Sequence, residues 1–196
     1  MKAFFSLSSI ALTFALAAIA SAQQGTQSTP GVTMSQDDQK QEAKIQANLA
    51  KLSPEDRKLA EEQKFCAIQT KNRLGAMGVP IKLTIKGQPV FLCCNGCVSK
   101  AQANPDKMLA SVESLKEETA IQANLGKLTP ADRKLAEAQK FCAVQTKNRL
   151  GAMGAPVKIT IKGQPVFLCC DDCVAEAKAN PDKTLASVAG LIKANK

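Results

Sequence analysis

The sequence predicts an α+β fold made of two tandem copies of one small cysteine-bearing module. Residues 45–116 match residues 121–192 at a constant offset of 76 residues, without a gap. Ungapped repetition of this kind, at roughly three-quarters identity, implies two copies of one structure. All eight cysteines lie inside the repeats, four in each. Within each repeat, helical patterns flank one short stretch of strand-like alternation, which predicts the order helix, cysteine loop, β-hairpin, helix.

Amphipathic helices are predicted to flank the hairpin of each copy. Helical character begins near Ser35 and strengthens through KIQANLAKL. The sequence SPED at 53–56 begins a second helix, since serine is a good N-cap residue and proline fits the first helical position. The second copy has TPAD at 129–132. Each of these helices is predicted to end just before a Phe-Cys pair.

The hairpin is predicted from the segment that follows the first cysteine. After the glycine-rich loop TKNRLGAMGVP, the sequence IKLTIK alternates apolar and polar residues, which indicates a half-buried strand. Gly87-Gln88-Pro89 is predicted to turn the chain so that VFLC returns as the second strand. Asn104-Pro105 then begins another helix. If this helix continues through KEETAIQANLGKL, it joins the two copies at a fixed spacing.

The first residues resemble a secretory signal. Lys2 precedes an apolar stretch, and Ala20-Ser21-Ala22 forms a small-x-small cleavage site. An uncleaved membrane anchor is the alternative, but we predict cleavage, a secreted or periplasmic protein, and no stable membrane insertion afterwards. The predicted organisation is a signal peptide at 1–22, a flexible linker at 23–43, the first repeat at 44–117 and the second repeat at 118–196.

Composition excludes several classes of function. The chain has no His, Trp or Tyr, which removes the commonest general base, the Ser-His-Asp arrangement and every imidazole metal ligand. The net charge is +9, but lysine and arginine alternate with acids and there are few aromatic side chains to stack on bases. We therefore predict a solvated charged surface, no nucleic-acid partner and no enzymatic activity.

The cysteines are the residues that carry chemistry. In each repeat one cysteine follows a helix, and three more lie at the end of the hairpin, where strand gives way to helix. The hairpin returns the second group to the side of the first, so the sulfurs can converge on one ion. The predicted metal ligands are Cys66, Cys93, Cys94, Cys97, Cys142, Cys169, Cys170 and Cys173.

The segment GQPVFLCCNGCVSKAQANPDKML resembles the closing half of the YHS and TRASH-like heavy-metal-binding domains, and LGAMGVPIK resembles a Gly-Met-Gly loop of secreted members. This resemblance implies that six of the cysteines are ligands, whereas Cys94 and Cys170 occupy a position where YHS members often have serine. The chain departs from the family after the first cysteine, where it reads Ala-Ile-Gln or Ala-Val-Gln. The ligands implied by the family are Cys66, Cys93 and Cys97, and Cys142, Cys169 and Cys173.

Thiolates are soft ligands that suit Cu(I) and Zn(II) and disfavour Mg(II) and Ca(II). Three thiolates would favour Cu(I), and four would form a closed tetrahedral zinc site. Met77 and Met153 could each add a thioether to a Cu(I) site or could simply fill a gap in the core. The predicted role is metal buffering, metal delivery or fold stabilisation, and the predicted partner is a metal-exporting or metal-accepting protein.

Two alternatives remain open at this stage. An exported protein with an even number of cysteines and small domains can instead be stabilised by disulfides, without a metal. Thiol-disulfide oxidoreductase chemistry at Cys94-x-x-Cys97 is the second alternative, although the βαβ context of thioredoxin-like proteins is not predicted here.

Overall fold

The fold is α+β, as predicted, with helices surrounding two separate antiparallel hairpins. We describe residues 35–196 of a computed structural model, and these residues form one compact unit. The predicted signal peptide at 1–22 and the linker up to residue 34 lie outside the described residues. None of the described helices combines the length and apolarity needed to cross a bilayer.

The elements follow one another in the same order in both halves of the described chain. In the first half they are α1 (Gln36–Leu49), α2 (Pro54–Gln63), β1 (Ile81–Ile85), β2 (Gln88–Leu92), a 3₁₀ turn (Asn95–Cys97) and α3 (Val98–Ala103). The long helix α4 (Pro105–Leu125) leads into α5 (Pro130–Gln139), β3 (Val157–Ile161), β4 (Gln164–Leu168), α6 (Cys173–Ala179) and α7 (Pro181–Ala194).

Side-chain caps set the starts of the first two helices. The Ser35 hydroxyl accepts a hydrogen bond from the Asp38 N–H and the Asp38 carboxylate accepts one from the Ser35 N–H, so a capping box begins α1. As a result α1 begins where the sequence predicts helical character, near Ser35, and it includes residues 36–43, which the predicted organisation places in the linker. Ser53 accepts a hydrogen bond from the Asp56 N–H at 3.1 Å and thereby caps α2.

A two-residue turn closes the first hairpin. Ile85 pairs with Gln88, and the two residues between them, Lys86 and Gly87, have φ values of 49° and 80°. Two successive left-handed residues form the type of tight turn that matches the twist of paired strands. The turn therefore lies one residue earlier than predicted, and Pro89 belongs to β2, where a two-stranded hairpin tolerates a residue without an N–H.

Helix α4 belongs to both halves. Its first part supplies Met108 and Val112 to the core that contains the first hairpin. Its last part supplies Ile121 and Leu125 to the core that contains the second. The helix suggested at Asn104-Pro105 thus continues into the second copy, and the predicted boundary between residues 117 and 118 lies inside α4.

Gly75 brings the cysteine loop into close contact with α1. Its φ of 89° is unfavourable for side chains, and a Cβ atom here would lie 2.8 Å from the Ile45 carbonyl oxygen. The Gly75 carbonyl also accepts a hydrogen bond of 2.8 Å from the Asn48 side chain. The glycine therefore permits backbone contact between the loop and the helix.

We expect Gly75→Ala to be more destabilising than Gly87→Ala. Both substitutions place a side chain at positive φ, which costs about 1–2 kcal/mol. At Gly87 no other atom lies within 4 Å of the added Cβ, whereas at Gly75 the Ile45 carbonyl must move, which adds about 1–3 kcal/mol. Urea denaturation of the two variants measures this difference, and equal stabilities would contradict the close contact.

Candidate metal centre

A tight loop after α2 positions the first cysteine. Lys64, with φ of 63° and ψ of −40°, ends the helix, and the Phe65 N–H donates across it to the Gln63 carbonyl at 2.7 Å, which reverses the chain. Phe65 then forms an isolated antiparallel bridge with Arg73, and the Cys66 N–H donates to the Asn72 carbonyl at 2.9 Å. The loop is thus closed on itself, and Cys66 is 0% exposed.

The other three cysteines of the first repeat follow β2. Cys93 and Cys94 continue from the strand, and the chain then enters the 3₁₀ turn that contains Cys97. The Cys97 N–H donates to the Cys94 carbonyl at 3.1 Å. Cys93 and Cys97 are 3% and 1% exposed, whereas Cys94 is partly exposed. The end of the hairpin therefore presents two sulfurs to the interior and one towards the surface.

The sulfurs of Cys66, Cys93 and Cys97 form a buried triad in which every pair lies within 4.8 Å. The Sγ atoms of Cys66 and Cys97 are 3.8 Å apart, and those of Cys93 and Cys97 are 4.0 Å apart. Cys94 Sγ lies 3.9 Å from Cys93 Sγ and 3.8 Å from Cys97 Sγ. The two cysteine-bearing segments thus converge as the sequence predicted.

The second repeat has the same arrangement. Cys142, Cys169 and Cys173 form a buried triad in which every pair of sulfurs lies within 4.8 Å. Cys173 Sγ is 3.8 Å from both Cys142 Sγ and Cys169 Sγ. Cys170 is partly exposed, and its Sγ lies 3.8 Å from that of Cys169 and 3.9 Å from that of Cys173.

These separations match the requirement of a thiolate-bound ion. Sulfurs held about 2.3 Å from one ion are about 3.8 Å apart in tetrahedral geometry and about 4.0 Å apart in trigonal planar geometry. They are also about twice as far apart as two sulfurs in a disulfide bond, at about 2.05 Å. Each triad could therefore hold a metal ion.

The thiol pKa values differ within the triad. Burial disfavours the Cys66 thiolate, but hydrogen bonds from the backbone N–H groups of Gln69, Cys93 and Ile68 outweigh it and lower the Cys66 pKa. Burial raises the pKa of Cys97 to about 11, and the negative charge of Cys66 adds to this effect. Burial raises the pKa of Cys93 as well. An ion that binds three thiolates must therefore displace protons as it binds.

The second triad follows the same order. Burial opposes the Cys142 thiolate, but the backbone N–H groups of Gln145, Cys169 and Val144 outweigh it and lower the Cys142 pKa. The Gln145 N–H lies 3.4 Å from Cys142 Sγ. Burial raises the pKa values of Cys169 and Cys173. Each site is thus organised around one sulfur that receives backbone hydrogen bonds.

Gln63 connects the two cysteine-bearing segments, and sequence reasoning missed it. It is 0% exposed, and its Nε2 donates to the carbonyls of Phe65 at 2.8 Å and Phe91 at 2.6 Å. Its Oε1 accepts from the Phe91 N–H at 2.9 Å. One amide therefore fixes the residue before Cys66 relative to the strand that leads to Cys93. Gln139 makes the corresponding bonds in the second repeat.

The two methionines proposed as auxiliary ligands lie on the surface. Met77 is 60% exposed and Met153 is 63% exposed, so neither fills a gap in the core. In the second repeat, Asn148 Nδ2 lies 3.9 Å from both Met153 Sδ and Cys169 Sγ. One amide thus lies between the thioether and a sulfur of the buried triad, and metal ligation by these methionines stays a prediction.

The ion pairs beside the site also occur at matching positions in the two halves. Arg73 forms an ion pair with Glu42 on α1, and Arg149 forms the corresponding pair with Glu118 on α4 at 2.6 Å. Hydrogen bonding to Arg73 lowers the pKa of Glu42. These arginines thus hold the cysteine loops against the preceding helices.

No known protein-family model matches this chain, and no curated protein or solved structure is significantly similar to it. The described residues contain two buried cysteine triads, each with sulfurs close enough to hold one metal ion.

Proposed function

We propose that this protein is an exported metal-binding protein that holds one soft metal ion, Cu(I) or Zn(II), in each of two repeats. The observation that supports this most directly is the convergence of buried sulfurs from segments 31 residues apart, repeated in both halves. The chain has no histidine, so thiolates are its soft ligands, and thiolates select these ions over Mg(II) and Ca(II).

The proposed role is metal buffering, delivery or fold stabilisation outside the cytoplasm, and not catalysis. We further propose that the repeats are relatives of the YHS and TRASH-like domains. Support comes from the segment GQPVFLCCNGCVSKAQANPDKML, which supplies three of the four sulfurs at the first site. A partner that accepts or exports the ion follows from the delivery role and is part of the same proposal.

The first test measures thiols and metal together. The mature chain is purified from its native compartment, its thiols are counted after denaturation, and its metal content is measured. We expect two ions per chain and eight titratable thiols after metal removal. Eight unreactive cysteines without metal would instead establish the disulfide alternative. Because the chain has no Trp or Tyr, thiolate-to-metal absorption is easily observed.

We expect Cys97→Ser to reduce metal content from two ions to one. Cys97 Sγ is within 4.0 Å of each of the other sulfurs of the first site, so its loss removes the atom common to the cluster. Cys173→Ser should produce the same loss at the second site, and the double variant should bind neither ion. Met77→Leu tests the auxiliary ligand: unchanged metal content would show that this exposed thioether is not needed to hold the ion. Unchanged content in Cys97→Ser would show that the ion binds elsewhere.

A further inference from the structure

The partly exposed cysteine of each repeat lies outside the buried triad, next to two of its sulfurs. Cys94 Sγ lies within 3.9 Å of Cys93 Sγ and Cys97 Sγ, which themselves lie 4.0 Å apart. These three sulfurs form a second triangle that shares the Cys93–Cys97 edge with the buried triad. Cys170 forms the corresponding outer triangle in the second repeat, with sulfur separations of 3.8–3.9 Å.

We propose that Cys94 and Cys170 are the sulfurs through which each site exchanges its ion with thiol-bearing ligands. The charged residues that follow each of these cysteines make the first repeat exchange faster than the second with anionic thiols. This inference rests on the proposed metal-binding function.

The two triangles provide a route for exchange. An ion in the buried triad can cross the shared Cys93–Cys97 edge to the outer triangle while keeping two of its sulfur bonds. Cys66 is 0% exposed and is inaccessible to an incoming thiol, whereas Cys94 is partly exposed. The acceptor sulfur therefore binds on the Cys94 side, before the last bonds to the protein break.

The exchange involves no change in oxidation state. New bonds form between the ion and acceptor sulfurs, and the bonds from the ion to cysteine sulfurs break. Each acceptor thiol releases one proton when it binds, and each vacated cysteine thiolate that becomes protonated takes one from solvent. The ion keeps its charge throughout, so neither oxidant nor reductant is needed.

The charges around the two exposed cysteines differ, although the repeats are otherwise closely similar. Residues 94–103 carry a single charged side chain, Lys100, for a net charge of +1. The matching residues 170–179 carry three acids and one lysine, for a net charge of −2. The acids are exposed and two of them directly follow Cys170; they are Asp171, Asp172 and Glu176.

This difference in charge predicts that the two sites exchange their ions with anionic thiols at different rates. Negative charge beside Cys170 repels an approaching anionic thiol, and repulsion of this kind changes association rates by about tenfold or more at low ionic strength. Salt screens exposed charges, so the effect should weaken as ionic strength rises. A neutral dithiol should not distinguish the two sites.

The role of Cys94 is tested in the full-length Cys173→Ser chain, which retains only the first site. This protein is loaded with one equivalent of Cu(I) without oxygen, and transfer to dithiothreitol is followed by the copper that stays with the protein after rapid desalting. We expect Cys94→Ser to keep the ion and to slow transfer at least about tenfold. An unchanged transfer rate would overturn the inference. Loss of the ion would overturn it as well, because Cys94 would then be a ligand needed to bind the ion and not only to exchange it. If the parent chain takes up neither Cu(I) nor Zn(II), the proposed function itself fails and the inference falls with it. A parent chain that takes up only Zn(II) is tested in the same way with Zn(II).

The effect of charge is tested by giving the second site the residues of the first. In the Cys97→Ser chain, which retains only the second site, the changes are Asp171→Asn, Asp172→Gly, Glu176→Lys and Lys178→Gln. With dimercaptosuccinate, an anionic dithiol, we expect the first site to transfer Cu(I) about tenfold faster than the second at low salt. The four substitutions together should remove that difference, and dithiothreitol should show none. Equal transfer from both unmodified sites to dimercaptosuccinate would contradict the proposed charge selection.

Discussion

Gln63→Met is expected to lower the free energy of unfolding by at least about 3 kcal/mol and to weaken metal binding at the first site. The substitution keeps the length of the side chain but removes all three hydrogen bonds to Phe65 and Phe91. Each buried backbone group left without a partner costs about 1–3 kcal/mol. Methionine cannot replace these bonds, and water has no access to a side chain that is 0% exposed.

The effect on metal binding follows from the position of this amide. Gln63 holds Phe65 and Phe91 together, and these residues precede Cys66 by one position and Cys93 by two. When the bonds are lost, the two segments can separate and the sulfur triad is no longer held at the spacing that an ion requires. We expect the affinity of the first site to fall at least about tenfold, since supporting contacts around a metal site typically contribute that much.

Metal titration and urea denaturation check both effects. Gln41→Met, at an exposed position on α1, is the matched control and should change stability by less than about 0.5 kcal/mol. Gln139→Met should reproduce the loss at the second site, where this residue makes the corresponding bonds. If Gln63→Met had the same stability and the same metal affinity as Gln41→Met, the amide of Gln63 would not support the site.

Gln63 also shows why part of the site was not predictable from sequence. In the segment EEQKFC it resembles any polar residue at the end of a helix, and its partner Phe91 lies 28 residues away. Local patterns report periodicity and caps, so they predicted the helix beginning at Ser53 and the strand around Leu83. A buried side-chain contact between distant segments leaves no local pattern.

The cysteine convergence was predictable because it depends on topology and not on fine geometry. Whatever the residues of its turn, the hairpin returns Cys93 towards the loop that precedes the hairpin, which contains Cys66. The backbone N–H groups that stabilise the Cys66 thiolate were not predictable, since they depend on the conformation of the loop at Ile68 and Gln69.

Glu117→Pro is expected to destabilise both repeats at once, by at least about 3 kcal/mol. Glu117 is exposed in the middle of α4, between the residues that this helix supplies to the two cores. Proline there removes one helical hydrogen bond and clashes with the preceding turn, which costs about 3 kcal/mol or more. For a protein of this size, that corresponds to a decrease in Tm of roughly 6–12 °C.

Both repeats respond because α4 contacts the cysteine loop of each repeat. Ser111 on α4 donates a hydrogen bond of 2.8 Å to the Ala67 carbonyl, next to Cys66. Further along the same helix, Asn124 donates to the Gly151 carbonyl at 2.8 Å. A continuous helix therefore transmits order from one cysteine loop to the other, and the chain should unfold in one cooperative transition.

Calorimetry and metal titration test this coupling together. In the unmodified chain we expect one unfolding transition, and we expect the ion bound at one site to raise the affinity of the other. Glu117→Pro should separate the transitions and make the two affinities independent. Glu117→Ala preserves the helix and is the control, with a change below about 0.5 kcal/mol. Two separate transitions in the unmodified chain would show that the shared helix connects the repeats without coupling them.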